Sequence, residues 1–220
     1  MVKGGALMIL FYGADNDLKK PIYGIGNASN DYRLGLYLTP SADAAFLWAS
    51  RFDGGWVIKY KIDITKLKVL RLDNNTEEDV LKWITILIKN RFDNNEKIRY
   101  KQTIDWLISK FSIDLSNYDM VIGYRADDSY FSYSLGFVSG EISIETLKEA
   151  MKLGKLGLQY VLISPLAFSI IEYVNGSKVN KSNAYDTFRK STLAEYHTLK
   201  NNEDRFNNTF IGELMKKYGK

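Results

Sequence analysis

The sequence predicts an α+β fold built on antiparallel sheets, and three observations lead there. Short apolar or alternating runs recur along the first 174 residues, and helical periodicities fall between some of them. Few strand pairs carry the regular helical crossovers that a parallel, doubly wound sheet requires.

Taken in order, LMILF (7–11) reads as a buried strand and GLYLT (35–39) as a second, closed by Pro40 and Ser41. Ser41 is an N-cap residue, and Ala42, Ala45, Phe46 and Ala49 follow at helical spacing, which predicts a short helix over 42–51. WVIKYKI (56–62) alternates, with Trp56, Ile58, Tyr60 and Ile62 on one face. LKVLRL (67–72) is expected beside it as a half-exposed antiparallel neighbour. Val80, Trp83, Ile84, Leu87 and Ile88 repeat at three and four, as do Ile104, Leu107, Ile108 and Phe111, giving two helices joined by a polar segment around Asp93 to Lys97. DMVIGY (119–124), LQYVLIS (158–164) and AFSIIEYV (167–174) complete the expected strands, with a helix from Ile144 to Leu153 between the first two. Beyond them, 183–199 and 204–217 space Tyr185, Phe188, Leu193 and Tyr196, then Phe206, Phe210, Leu214 and Met215, as two amphipathic helices. The expected organisation is a domain over 1–176 and a helical C-terminal extension over 177–220.

Composition narrows the chemistry. With 220 residues and 45% hydrophobic content the chain can build a real core. It has no cysteine and one histidine, His197, so thiolate metal sites, a cysteine nucleophile and a histidine-based zinc site drop out, and no metal is expected. No run of apolar residues reaches membrane-spanning length, and MVKGGALMILF lacks the length and cleavage site of a secretory signal, which points to the cytoplasm and to no membrane partner. The net charge of +4 is unevenly spread: residues 1–176 carry 21 basic and 21 acidic side chains, residues 177–220 carry 9 and 5. YGIGNASN (23–30) lacks the third glycine and the following helix of a dinucleotide loop, and no phosphate loop or nucleophile elbow occurs.

The stretch YDMVIGYRADDSYFSYSLGF (118–137) concentrates polar chemistry at the end of an expected strand. Arg125, Asp127 and Asp128 fall where chain leaves a sheet. Two readings fit: displayed functional groups, or a turn whose aspartates cap the next helix while Arg125 pairs with one of them.

Three blocks, NDYRLGLYLT (30–39), GYRADDSYF (123–131) and AMKLGKLGLQYVLIS (150–164), in this order and spacing, resemble an uncharacterised bacterial family of ADP-ribosyltransferase-like domains. Its members read YHGS, then NDYGxGFYxT, RADDSYF and LGKLGxQVVLxS. The resemblance runs from about Leu10 to Val174. It implies a split pair of small antiparallel sheets forming a cleft for NAD, which is substrate rather than resident cofactor. By position it implies Tyr12, Tyr37 and Gln159 on three strands of the site, with Tyr37 stacking on nicotinamide and Gln159 orienting a ribose hydroxyl. It also assigns Gly13, Asn30, Asp31, Tyr32 and Thr39 to NAD binding. Gln159 stands where the wider superfamily has a glutamate, so Asp127 and Asp128 become candidates for the carboxylate that stabilises positive charge at the sugar carbon, and Arg125 for the pyrophosphate.

The sequence departs from this family twice: Tyr12, within LFYGAD, replaces the histidine of YHGS, and Arg33 replaces the glycine of NDYG. Tyr12 is either a natural degeneration or an inactivating substitution. Two function classes follow. The first is an NAD-dependent ADP-ribosyltransferase acting on a protein or nucleic acid, the toxin of a toxin–antitoxin or defence module with a small helical partner. The second is a non-catalytic binding module that keeps the fold.

Overall fold

The computed structural model describes residues 7–125, 128–153 and 157–219, without the side chains of 128–130. The strands are β1 (Leu7–Ala14), β2 (Leu36–Leu38), β3 (Gly55–Asp63), β4 (Val69–Leu72), β5 (Met120–Tyr124), β6 (Leu158–Leu162) and β7 (Glu172–Val179). The helices are α1 (Ala42–Ala49), α2 (Glu77–Arg91), α3 (Asn94–Arg99), α4 (Lys101–Phe111), α5 (Asp128–Val138), α6 (Ile144–Ala150), α7 (Pro165–Ile170), α8 (Ala184–Asn201) and α9 (Ile211–Lys217). The fold is α+β, with two sheets and flanking helices.

The first sheet has the order β1-β3-β7 and is antiparallel throughout; the second has the order β2-β6-β5-β4. Alternation of side chains explains their stacking. Leu10 of β1 and Ile58, Tyr60 and Ile62 of β3 share one buried cluster with Leu36, Leu38, Met120, Ile122, Tyr160 and Leu162 of the second sheet. The opposite face of that second sheet, with Leu70, Leu72, Val121 and Val161, is covered by apolar residues of α2, α4, α5 and α6. At one edge the sheets touch through the Phe11–Thr39 bridge, whose N–H···O distances are 2.7 and 2.9 Å. Beyond it β1 and β2 separate.

Several expectations require correction. LKVLRL does not pair with WVIKYKI: β4 lies in the other sheet, parallel to β5, with Leu70 opposite Val121. The connection from β4 to β5 is long enough to hold α2, α3 and α4, so the crossover that a parallel pair needs is present here. The run 167–174 is not one strand. Ser164 accepts a hydrogen bond from the Ala167 N–H at 3.2 Å and Pro165 occupies the first turn, so Pro165–Ile170 is helical and β7 starts only at Glu172. The polar segment after α2 is itself a short helix, α3, closed by a capping box between Asp93 and Glu96. The last helix begins at Ile211 instead of 204. Asp204 accepts from the Phe206 and Asn207 N–H groups in a turn, and Phe206 projects into solvent, 98% exposed.

The extension is part of the core. β7 continues through Val179, pairing with Gly55, across the 176/177 position. The α8 ring of Tyr196 lies 4.0 Å from that of Tyr133 in α5, and Ile211, Leu214 and Met215 of α9 are buried in the helical cluster.

Candidate functional site

Where β1 and β2 separate, a cleft of about 830 Å³ opens. Its walls are the end of β1, the edge strand β2 with β6 beside it, helix α1, and the long connection from Asp15 to Gly35. Tyr12, Gly13, Asn30, Asp31, Tyr37, Thr39, Arg125 and Gln159 all line it. Of the sequence-expected site residues, Asp127 and the Asp128 side chain lie outside the described residues, and Tyr32 sits behind the wall.

Glycine sets how closely α1 can approach. A Cβ on Gly13 would fall 2.2 Å from the Ala45 carbonyl oxygen, and one on Gly55 would fall 2.0 Å from that of Ala49. Both positions admit the helix backbone onto the first sheet, which carries Trp48 to the cleft. Gly13 therefore acts through packing as well as by lining the site.

The NDYR and GYR blocks meet physically. Tyr32 is fully buried, and its hydroxyl donates to the Tyr124 carbonyl at 3.0 Å, an oxygen that also accepts from Trp83 Nε1 at 3.0 Å. A Cβ on Gly123 would lie 2.5 Å from the Tyr32 hydroxyl, which explains the glycine. The Tyr37 hydroxyl accepts from the Tyr32 N–H at 2.9 Å and donates to the Arg33 carbonyl at 2.7 Å. Asp31 is buried and pairs with Arg91 at 2.7 Å, while Asn90 donates to the Asp31 carbonyl. Between these anchors Arg33 has φ of 67°, the left-handed conformation that glycine adopts without cost. The chain turns here as it would with the glycine of NDYG.

The other end of the same connection is tied to the first sheet. The Tyr60 hydroxyl donates to the Leu18 carbonyl, and the Tyr173 hydroxyl donates to Asp17 at 3.0 Å. Between the two pinned ends, Ile22 and Ile25 border the cleft and stay exposed.

Gln159 lies on the same face of the second sheet as Tyr37, because Tyr37 pairs with Val161 and Gln159 is two positions along β6. Its Oε1 is buried with no hydrogen-bond partner among the described residues. A buried amide oxygen in a cleft wall is rarely left so, and it marks a point where a ligand donor would be stabilised. Tyr12 is half-buried against the inter-sheet cluster. Burial, then the Asp15 charge, pushes its phenol pKa up; burial, then Asp31, does the same for Tyr37, further. Both phenols stay neutral through the physiological range and act as donors rather than bases.

Sequence reasoning named Arg125 but missed the aromatic and cationic residues gathered around it at the mouth. The Arg125 guanidinium sits 4.8 Å from the Trp48 ring centre and that of Arg51 sits 4.4 Å from it; Arg51 is also 4.5 Å from Tyr185 of α8. Tyr185 packs edge-on against Trp48 at 5.6 Å and lines the cleft. The signal available was slight: Trp48 and Arg51 follow the apolar face of α1 by one turn.

The fold and cleft thus define an α+β protein with a ligand-sized opening between two sheets. A match over residues 8–173 makes the chain a member of the family described as "Protein of unknown function (DUF3990)". No curated protein and no solved structure matches the chain. Tyr185 lies beyond the family match, so the cleft is completed by the extension.

Proposed function

We propose that the protein is an NAD-dependent ADP-ribosyltransferase that modifies a cellular macromolecule. The observation that carries this reading is convergence: Tyr12, Tyr37 and Gln159, taken from three motifs far apart in sequence, line one cleft. Three further features support it. The cleft volume falls within the roughly 300–1,000 Å³ typical of small-molecule sites. The orphan Gln159 oxygen is an acceptor for a ribose hydroxyl. Arg33 has a backbone conformation that glycine adopts without cost, which fits the glycine of the resembling motif.

In the proposed reaction the bond between the nicotinamide-ribose anomeric carbon and the pyridinium nitrogen breaks. Its electron pair leaves with neutral nicotinamide, and an acceptor lone pair forms the new bond as the acceptor loses a proton. Tyr37 presents a ring against nicotinamide, with its hydroxyl already engaged in holding the Asn30–Arg33 turn. Tyr12 offers a neutral donor. Gln159 orients the ribose but adds no charge, so the carboxylate falls to Asp127 or Asp128 directly after β5. The resemblance extends the reading to a toxin with a small helical partner, acting in the cytoplasm. Among the described residues no helix is long and apolar enough to cross a membrane.

A second reading, a binding module without turnover, is favoured by one observation. Asp31 is the carboxylate lining the cleft among the described residues, and Arg91 already engages it at 2.7 Å. Incubating the protein and a cell extract with NAD labelled in its adenylate separates the two. Label transferred to macromolecule together with free nicotinamide supports the transferase; NAD recovered intact supports the module.

A further inference from the structure

Two arginines at the mouth of the cleft lie over a single indole ring. Some lysines and arginines elsewhere are ion-paired, among them Lys61 with Glu172, Arg71 with Asp73 and Lys217 with Glu77, and within the cleft Arg91 is held by Asp31. At the mouth, Arg125 and Arg51 share the Trp48 indole, and neither guanidinium has a carboxylate partner among the described residues. Two like charges held against one ring repel each other unless an anion joins them. A guanidinium held over a ring can still present N–H donors to phosphate oxygens in pairs.

The cationic line continues outward onto the extension. The Ser182 N–H donates to the Ser50 carbonyl at 2.9 Å, holding the chain after β7 against the end of α1. Lys178 sits over Gly54, with its Cε 3.1 Å from where a Cβ would be, and Lys178 and Lys181 are exposed and form no ion pair among the described residues. Asp53, near Arg51 in sequence, and Asp186, near Lys181, are exposed and form no ion pair with these groups among the described residues, while Asp127 and the Asp128 side chain, close to Arg125 in sequence, lie outside those residues. An anion that used all four groups would be extended, with successive negative charges running from the mouth towards the outer surface.

We infer that the acceptor substrate is a single-stranded nucleic acid, whose phosphates run over Arg125, Arg51, Lys178 and Lys181 and so deliver one nucleotide into the cleft. This rests on the transferase reading for its chemistry but not for its binding surface. A cationic track that follows the sugar–phosphate backbone is the arrangement by which proteins hold single strands without fixed sequence, and here Trp48 and the buried Tyr185 serve to seat the arginines on that track. Half of the track, Lys178 and Lys181, lies outside residues 8–173, so the extension would share in choosing the acceptor with the part of the chain that the family covers.

The test is fluorescence anisotropy of a labelled strand of roughly 12 nucleotides, a length within single-strand site sizes, titrated with the full chain at several salt concentrations. Binding is expected to weaken with salt. Arg51→Ala and Lys178→Ala should each lower the log–log slope by about 0.7, the value of one phosphate contact on a single strand. Lys110→Ala on the distant α4 serves as the control and should leave the slope unchanged. A second arm adds saturating ADP-ribose. Retained strand binding assigns the cationic track to the acceptor, whereas complete displacement would mean that the arginines serve the NAD pyrophosphate, and would overturn the inference. No strand binding at low salt, or equal weakening by Lys110→Ala, overturns it as well and leaves a protein acceptor. NAD binding is read separately by calorimetry, so failure of the acceptor inference and failure of the transferase reading are told apart.

Discussion

Replacing Tyr37 by Phe removes one oxygen and leaves the ring, which isolates what the hydroxyl does. That oxygen accepts from the Tyr32 N–H at 2.9 Å and donates to the Arg33 carbonyl at 2.7 Å. The two bonds are unequal in consequence. The Arg33 bond is exposed, so water replaces its donor and the loss is small. The Tyr32 N–H is part-buried beneath the same ring, and leaving such a donor unsatisfied costs about 1–3 kcal/mol. Partial access to water favours the lower half, about 1–2 kcal/mol, a fall in melting temperature of roughly 2–8 °C for a chain of this size. Urea denaturation would give the free energy and a thermal melt the temperature. The turn that the hydroxyl holds contains Arg33 at φ 67°, a conformation that costs a non-glycine residue about 1–2 kcal/mol. In an Arg33→Gly background that strain is gone, so Tyr37→Phe should cost measurably less there than alone. A loss below about 0.5 kcal/mol, the lower end of an ordinary hydrogen bond, or full additivity of the two changes, would refute the claim that this phenol pins a strained turn.

Further expectations concern the helix, the amide and the extension. Gly13→Ala would drive a Cβ to 2.2 Å from the Ala45 backbone oxygen, so it should cost about 3 kcal/mol, the upper end of overpacking penalties, and misplace Trp48; a neutral outcome in denaturation would contradict the packing role. Gln159→Glu should raise nicotinamide release from NAD at least roughly tenfold, since about 1.4 kcal/mol of charge stabilisation suffices for that. No gain despite intact NAD binding would mean that an aspartate already fills the role. Truncation after Val179 would strip Tyr196, Ile211, Leu214 and Met215 from the helical cluster and should yield insoluble protein, whereas a soluble, unchanged core would refute the assignment of the extension to the fold. Burial alone would raise the Glu77 pKa, but hydrogen bonds from Lys217 and Tyr218 outweigh it and hold the carboxyl below its ordinary value. This attachment is at full strength above the ordinary glutamate pKa and is lost as pH falls through the lower folded value. Hydrogen exchange at α9 should therefore rise on acidification, and less so in Glu77→Gln.

Elements whose signals are local were legible in the sequence. Alternation located β3, and the Ser41 cap with its spaced alanines located α1. Part of what was not legible depended on partners distant in the chain. β4 reads as a half-exposed strand in isolation, and only the space filled by α2, α3 and α4 decides that it lies parallel to β5. In AFSIIEYV the apolar run outweighed the Ser164–Pro165 helix start, although that start was visible in the residues. The site divides the same way. Tyr12, Tyr37 and Gln159 came from the resembling motifs, and all three line the cleft. Trp48, Arg51 and Tyr185 carry no motif and meet only because Gly13 and Gly55 let α1 settle on the first sheet and β7 returns the chain to the end of α1.

The central claim is that the cleft between Tyr12, Tyr37 and Gln159 binds and turns over NAD. Calorimetric titration of the full chain with NAD, with nicotinamide followed chromatographically in the same samples, tests it most directly, and Tyr12→His is titrated in parallel. The expected result is saturable heat with slow nicotinamide release, both increased in Tyr12→His. That substitution shortens the donor and should strengthen binding by the value of one hydrogen bond, about 0.5–1.5 kcal/mol, or roughly threefold to tenfold. Absence of heat and of nicotinamide in both proteins would contradict the account.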